Sequence, residues 1–368
     1  MQTKWITYLI VILAFVGCVK PYTPEFNDDS ASKIVVQGTV SSNEGYQYVS
    51  VSRTSPASDP AFIPINNCEV KIIDDQEQVF SLNQHGDGEY RVWMPGQDLV
   101  PGRSYMVRVI TPEGQVLESS FDKMPKGPEI GDISYEISPI PTNIPGEFIR
   151  GIQFYTDFSA DEQDSRYFRW KLTETWEYHV KHPLEYYYDG VIHHIFPPDS
   201  SQMVCYNTNP VEDIITLSTT SFSENAIDHY PLNYVQNTSP RLAILYSLLV
   251  EQISLSESAY YYWEDLRLNS QQDGELYTSQ PIGVKGNMVD INNPKSDVLG
   301  YFQASSVSSG RVFVEPIDDF LDYEERCMPE KLRFGLQLLK PKDYPAYLLS
   351  DHGELRMELL GAYCVDCR

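Results

Sequence analysis

The sequence predicts a mainly β protein: an N-terminal β-sandwich of immunoglobulin-like or transthyretin-like type, then a larger β-rich domain with at least one packed helix. Three observations carry that expectation. The composition, 26 Tyr, 25 Pro and 21 Gly in 368 residues, favours strands and the turns between them. Seven short runs rich in β-branched and aromatic residues follow one another within residues 34–124, broken by Gly, Pro, Asn and Asp. A helical period of apolar residues stands out at one place, Ala259 to Leu266.

At the N-terminus, Lys4 precedes an apolar stretch from Trp5 to Gly17, 13 residues long and short of the ~20 that a spanning helix needs. Residues 1–17 therefore read as a secretory signal. Val16-Gly17-Cys18 resembles the lipobox of bacterial lipoproteins, with Phe15 where that pattern has Leu. The resemblance implies that Cys18 is acylated and becomes the first residue of the mature chain, tethered to the membrane at ~0.8 kcal/mol per buried CH₂. Residues 18–33 are polar, contain two prolines and suit an extended tether. The expected address is the outer membrane. The first acidic residue after Cys18 is Glu25, which leaves the periplasmic and surface faces both open.

Residues 34–124 hold the seven runs: IVVQGTVSS, YQYVSVSR, NCEVKIID, QVFSLN, GEYRVWM, RSYMVRVIT and GQVLESSF. In the sixth, Tyr105, Val107 and Val109 alternate with Met106, Arg108 and Ile110, the mark of a half-buried strand. Regular short strands of this kind predict a sandwich. The stretch from Gly86 to Gln115 is also similar to carboxypeptidase-regulatory-type and other surface sandwich modules. Residues 125–134, with Pro and Gly but no apolar run, read as a linker.

Residues 135–368 form the second expected domain. FIRGIQFYTDFS opens it, and RYFRWKLTETWEYHV follows with Phe168, Trp170, Leu172, Trp176 and Tyr178 on one parity. An aromatic face of this kind serves as a ligand platform or as core, and period-two spacing favours core. After YSLLVEQISLS, Ser254 and Glu257 have the spacing of a capping box, and Ala259, Tyr262, Trp263 and Leu266 recur at helical intervals.

Residues 276–314, LYTSQPIGVKGNMVDINNPKSDVLGYFQASSVSSGRVFV, resemble the P-x-x-V-x-G-N and L-G-Y-F pattern of the DUF4249 family of Bacteroidota outer-membrane lipoproteins. SESAYYYWEDL and the terminal CVDCR are similar to further elements of that family. The resemblance implies a companion of TonB-dependent outer-membrane receptors with no assigned catalytic residues. Physically, Gly283, Gly286 and Gly300 mark turns or close approaches, and Asn287 suits a turn held by its side chain. The spacing does not match a phosphate-binding G-x-G-x-x-G, which excludes nucleotide binding here.

The net charge of −25 sets the protein against phosphate backbones, so nucleic acid is excluded as a partner. Beyond Cys18, five cysteines remain, in a compartment where disulfides persist. Cys205 and Cys327 are expected to pair with Cys364 and Cys367, with connectivity open and Cys68 left over. His179, His182, His193 and His194 are weak metal candidates, because residues three apart on a strand face opposite ways. No G-x-S-x-G or H-E-x-x-H occurs. Trp176, Tyr178, Tyr186, Tyr187 and Tyr188, within 176–198, are the candidate interface. The expectation is a non-enzymatic accessory of a TonB-dependent receptor, without cofactor; the alternatives are a free-standing binder of a glycan, peptide or metal complex, and a structural or adhesion component.

Overall fold

The computed structural model describes residues 32–56, 59–271, 283–323, 327–332, 335–351 and 353–367; the signal, Cys18 and most of the tether lie outside the described residues. Among the described residues the fold is mainly β with one α-helix. The first strands are β1 (Ile34–Ser41), β2 (Gly45–Arg53), β3 (Ile63–Pro64), β4 (Glu69–Asp74), β5 (Val79–Gly86), β6 (Glu89–Met94), β7 (Ser104–Ile110), β8 (Val116–Ser119) and β9 (Asp122–Lys123). Each of the seven runs read from the sequence is a strand. In β7, Tyr105, Val107 and Val109 are buried and Arg108 is exposed, as the alternation predicts, while Met106 on the other parity is buried as well.

β5 pairs with β4 through Val79 to Leu82 and with β6 through Asn83 to Gly86. The sheet turns back on itself there. Val36, Val49 and Tyr90 from one half then meet Val70, Val107 and Leu117 from the other in a shared core.

The rest of the chain forms β10 (Ile133–Pro141), β11 (Phe148–Ser159), β12 (Tyr167–His179), β13 (Leu184–Tyr188), β14 (Ile192–Asp199), β15 (Val204–Ser218), β16 (Ala226–Gln236), β17 (Leu245–Ser254), α1 (Glu257–Gln271), β18 (Met288–Asp290), β19 (Phe302–Val314), β20 (Glu330–Lys331), β21 (Ala346–Asp351) and β22 (Glu354–Leu360). A second core lies between the three-stranded sheet β10-β11-β16 and one face of β12, β17 and β19. Phe168, Trp170, Leu172 and Trp176 fill it from β12, so this aromatic face is core. A five-stranded sheet, β14-β13-β21-β22-β20, completes the molecule.

One sheet path, β15-β12-β17-β19-β1-β2-β6-β5-β4-β7-β8-β18, runs through both cores. The joint is β19. Its first residues pair in parallel with β1, Gly38 opposite Phe302, and its remainder pairs antiparallel with β17, Ser254 opposite Ser306. Met288, Val298, Phe302 and Ala304, assigned by the sequence reading to the second domain, pack in the first core. They do so because β1 and β8 would otherwise end that sheet with unpaired backbone.

The motif stretch builds this joint. Gly300 has φ +93°, and a Cβ there would lie 2.0 Å from Val36 O; one on Gly286 would lie 1.6 Å from Gly300 O. Asn287, expected to hold a local turn, instead bridges to a residue 15 positions on: its Nδ2 donates to Phe302 O (2.8 Å) and its Oδ1 accepts from Phe302 N (2.9 Å).

The helix is capped two residues later than expected. Ser254 ends β17 and is buried, while Ser256 Oγ accepts from Ala259 N (3.2 Å) and donates to Asp122 Oδ1 (2.6 Å). A strand end claimed the first serine.

Candidate functional site

Because Phe168 and Trp170 point into the second core, Arg169 and Lys171 must emerge on the opposite face of β12. On that face the neighbouring strands present Glu251 and Ile253 from β17 and Gln303, Ser305 and Val307 from β19. Helix α1 covers part of it, burying Tyr262 and Trp263 against Ile253 and Tyr301. Between this helix-covered region and the exposed faces of β1 and β2 lies an open cleft of about 570 Å³.

Arg169 and Trp263 form the cleft's polar anchor. The guanidinium carbon of Arg169 sits 3.6 Å from the Trp263 ring centroid, a cation–π stack. Trp263 Nε1 donates to Gln303 Oε1 at 2.6 Å, which fixes the indole that in turn fixes the arginine. Arg169 Nε is buried with no hydrogen-bond partner among the described residues, and so is Ser305 Oγ on the same floor. Burial pulls the Arg169 pKa down to about 10, with Glu251 opposing the shift; the group stays cationic at neutral pH. Lys171 Nζ lies 3.5 Å from Glu251 Oε2 at the opening.

The opposite wall is aromatic. Tyr46 and Tyr48 line the cleft and are about half exposed, at 46% and 49%. Trp93 of β6 meets Tyr46 edge to face at 5.2 Å, and Arg91 lies over the Tyr46 ring at 4.2 Å. The cleft thus combines a desolvated cation, orphaned polar atoms and exposed ring faces, the ingredients of a small-molecule site. A second hollow, of about 690 Å³, is lined by Glu212, Asp213 and Arg267, but Arg267 is already engaged by Glu264 (Nε to Oε2, 2.9 Å).

The residues singled out from the sequence lie elsewhere, beside the five-stranded sheet. His179 contacts Glu177 (2.7 Å), His193 contacts Asp189 (2.8 Å), and His194 lies 3.6 Å from Glu185. His193 and His194 also stack on Tyr187 and Tyr186, each with centroids 4.4 Å apart. His182 donates its backbone N–H to Cys364 O. Among the described residues, a histidine-containing group close enough to share an ion is Asp157, Asp228 and His229, which strand parity had not singled out: a register shift in the β11–β16 pairing brings them together. Trp176 and Tyr188 are buried, and Tyr178 donates its hydroxyl to Cys367 O, so these three serve packing. What the 176–198 region does expose is β14 and its approach, with Val191, Ile192 and Phe196, the last 83% exposed.

Cys205 sits against Cys367 and Cys327 against Cys364, with Cα–Cα distances of 5.9 and 5.5 Å, both disulfide pairs. Cys68 stays a half-buried thiol whose pKa burial raises.

Arg169 carried a faint signal in the sequence, a cation on the outer parity of a strand. Trp263 was read as part of the helix's apolar period, and nothing local ties it to a residue 94 positions earlier.

A family model described as "Domain of unknown function (DUF4249)" matches residues 19–311. No curated protein matches the chain. Among solved structures, the chain is similar to trypsin-activated alpha-2-macroglobulin from Escherichia coli, at 8% identity and a TM-score of 0.20, over 62% of this chain and 15% of that one.

Proposed function

The chain belongs to the DUF4249 family, and from that premise we propose that it is a lipid-anchored outer-membrane protein, non-enzymatic, that binds its target as an accessory of a TonB-dependent nutrient receptor. The observation that carries the binding reading is the cleft beside α1, where Arg169 is held on Trp263 with its Nε unpartnered among the described residues. A buried donor without a partner costs about 1–3 kcal/mol, and a ligand that satisfies it recovers that cost. The Val16-Gly17-Cys18 pattern supports the anchor, and the family resemblance supports the receptor.

Extraction of the tagged protein from native membranes in mild detergent, with mass spectrometry of what accompanies it, tests the partnership. A barrel receptor in stoichiometric amount is the expected result. Recovery of the protein alone overturns the accessory role. The second reading, a free-standing surface binder, is favoured by the half-exposed Tyr46 and Tyr48 rings in the cleft, and it predicts ligand affinity in the absence of any receptor.

A further inference from the structure

The cleft's chemistry narrows what it takes. Its ionic lining is Arg169 and Lys171 against Glu251 and Glu89; Lys171 lies 3.5 Å from Glu251 and is paired with it, so the Arg169 guanidinium is the cation open to a single carboxylate. Arg169 is the desolvated member of that set, and its planar fork matches a carboxylate. Gln37 and Ser50 add polar groups to the lining. Tyr46 and Tyr48 offer half-exposed ring faces on the far wall, continued outward by Trp93. Flat aromatic faces beside a ring of hydroxyl and amide groups suit a body that is apolar on its faces and hydroxylated on its rim, as a pyranose is.

We propose that the cleft binds an acidic saccharide, a uronate or an equivalently hydroxylated monocarboxylate, with Arg169 receiving the carboxylate and Tyr48 and Tyr46 taking the sugar face. The volume of about 570 Å³ admits a short oligosaccharide segment, not merely an ion. Trp263 is a positioning residue: locked by Gln303, it holds the guanidinium flat before a ligand arrives, which lowers the ordering cost of binding. The inference rests on the reading that the protein binds its target.

Calorimetric titration of the full mature chain in detergent tests it, with aldotriouronic acid, a trisaccharide that carries one uronate, as probe and its neutral counterpart xylotriose and inorganic phosphate as comparators. Expected are binding of the singly charged uronate trimer, at least about tenfold weaker binding of the neutral trimer, and a loss of at least about tenfold in Arg169→Met, which keeps a chain packed on Trp263. Tyr48→Ala, at an exposed position that the core does not need, is expected to weaken the same probe several-fold and guards against misfolding of the first variant. Equal affinity for both trimers, insensitivity to Arg169→Met in a chain with unchanged melting, tighter binding of phosphate, or no binding of any probe overturns the proposal. Recovery of a receptor with wild type and Arg169→Met is scored on the same preparations. A receptor retained without uronate binding overturns this inference alone; uronate binding without a receptor overturns the accessory role alone.

Discussion

Glu174 is a carboxylate facing the second core of the molecule. Arg241 Nη1 donates to both of its oxygens (3.1 and 2.9 Å), and the Tyr246 hydroxyl donates to Oε2 (3.1 Å). Removing one partner of such a buried pair strands the other, so Glu174→Ala is expected to cost on the order of 3 kcal/mol in urea unfolding. Joint replacement of Glu174 and Arg241 by apolar residues should cost less than the single change. Asp122 is a different case. Burial raises its pKa, although it accepts from Ser256 Oγ and from Ala304 N. The folded state therefore holds that proton more tightly than the unfolded one. Its contribution is fully present below the ordinary carboxylate range and is lost as pH rises through the raised value. Asp122→Asn, which mimics the protonated form, should flatten this part of the melting temperature against pH. Neither role was legible in so acidic a sequence, where 52 carboxylates look alike until burial separates them.

At the scale of elements, strand period carried far. The seven runs of residues 34–124, the aromatic parity of β12 and the position of α1 all follow from side-chain alternation and turn residues, which are local properties. What local pattern could not carry is pairing. The parallel contact of β1 with β19 joins residues more than 260 positions apart, and Gly300 is its tightest point. Gly300→Ala brings a Cβ against Val36 O at a positive φ and should destabilise by at least about 2 kcal/mol, seen as a lower melting temperature and reduced soluble yield. The cysteine pairs act at the other end. Replacing Cys205 and Cys367 together by Ser is expected to remove about 2–4 kcal/mol. Hydrogen exchange should then quicken in β21 and β22 and stay unchanged in β4 and β7, which share none of their contacts.

For the whole molecule, two statements from the sequence become measurable. Cys18→Ala should move the protein from the membrane fraction to the soluble one, since the acyl chains are the proposed hold on the bilayer. The fragment 34–124, a natural cut by composition, should fail to fold: it lacks Met288, Val298, Phe302 and Ala304 and leaves the edges of β1 and β8 bare. The cleft was the least legible feature. It depends on a surface assembled from distant strands, for which a linear text has no word.

The return of β19 to β1 also sets a clock. A ribosome delivers β1 early and β19 more than 260 residues later, at ~5–20 residues per second. For that interval of roughly 13 to 54 seconds the N-terminal unit waits with an open flank, a nascent half-structure that needs shelter. Whatever escorts this chain during synthesis must hold it until the last third has emerged.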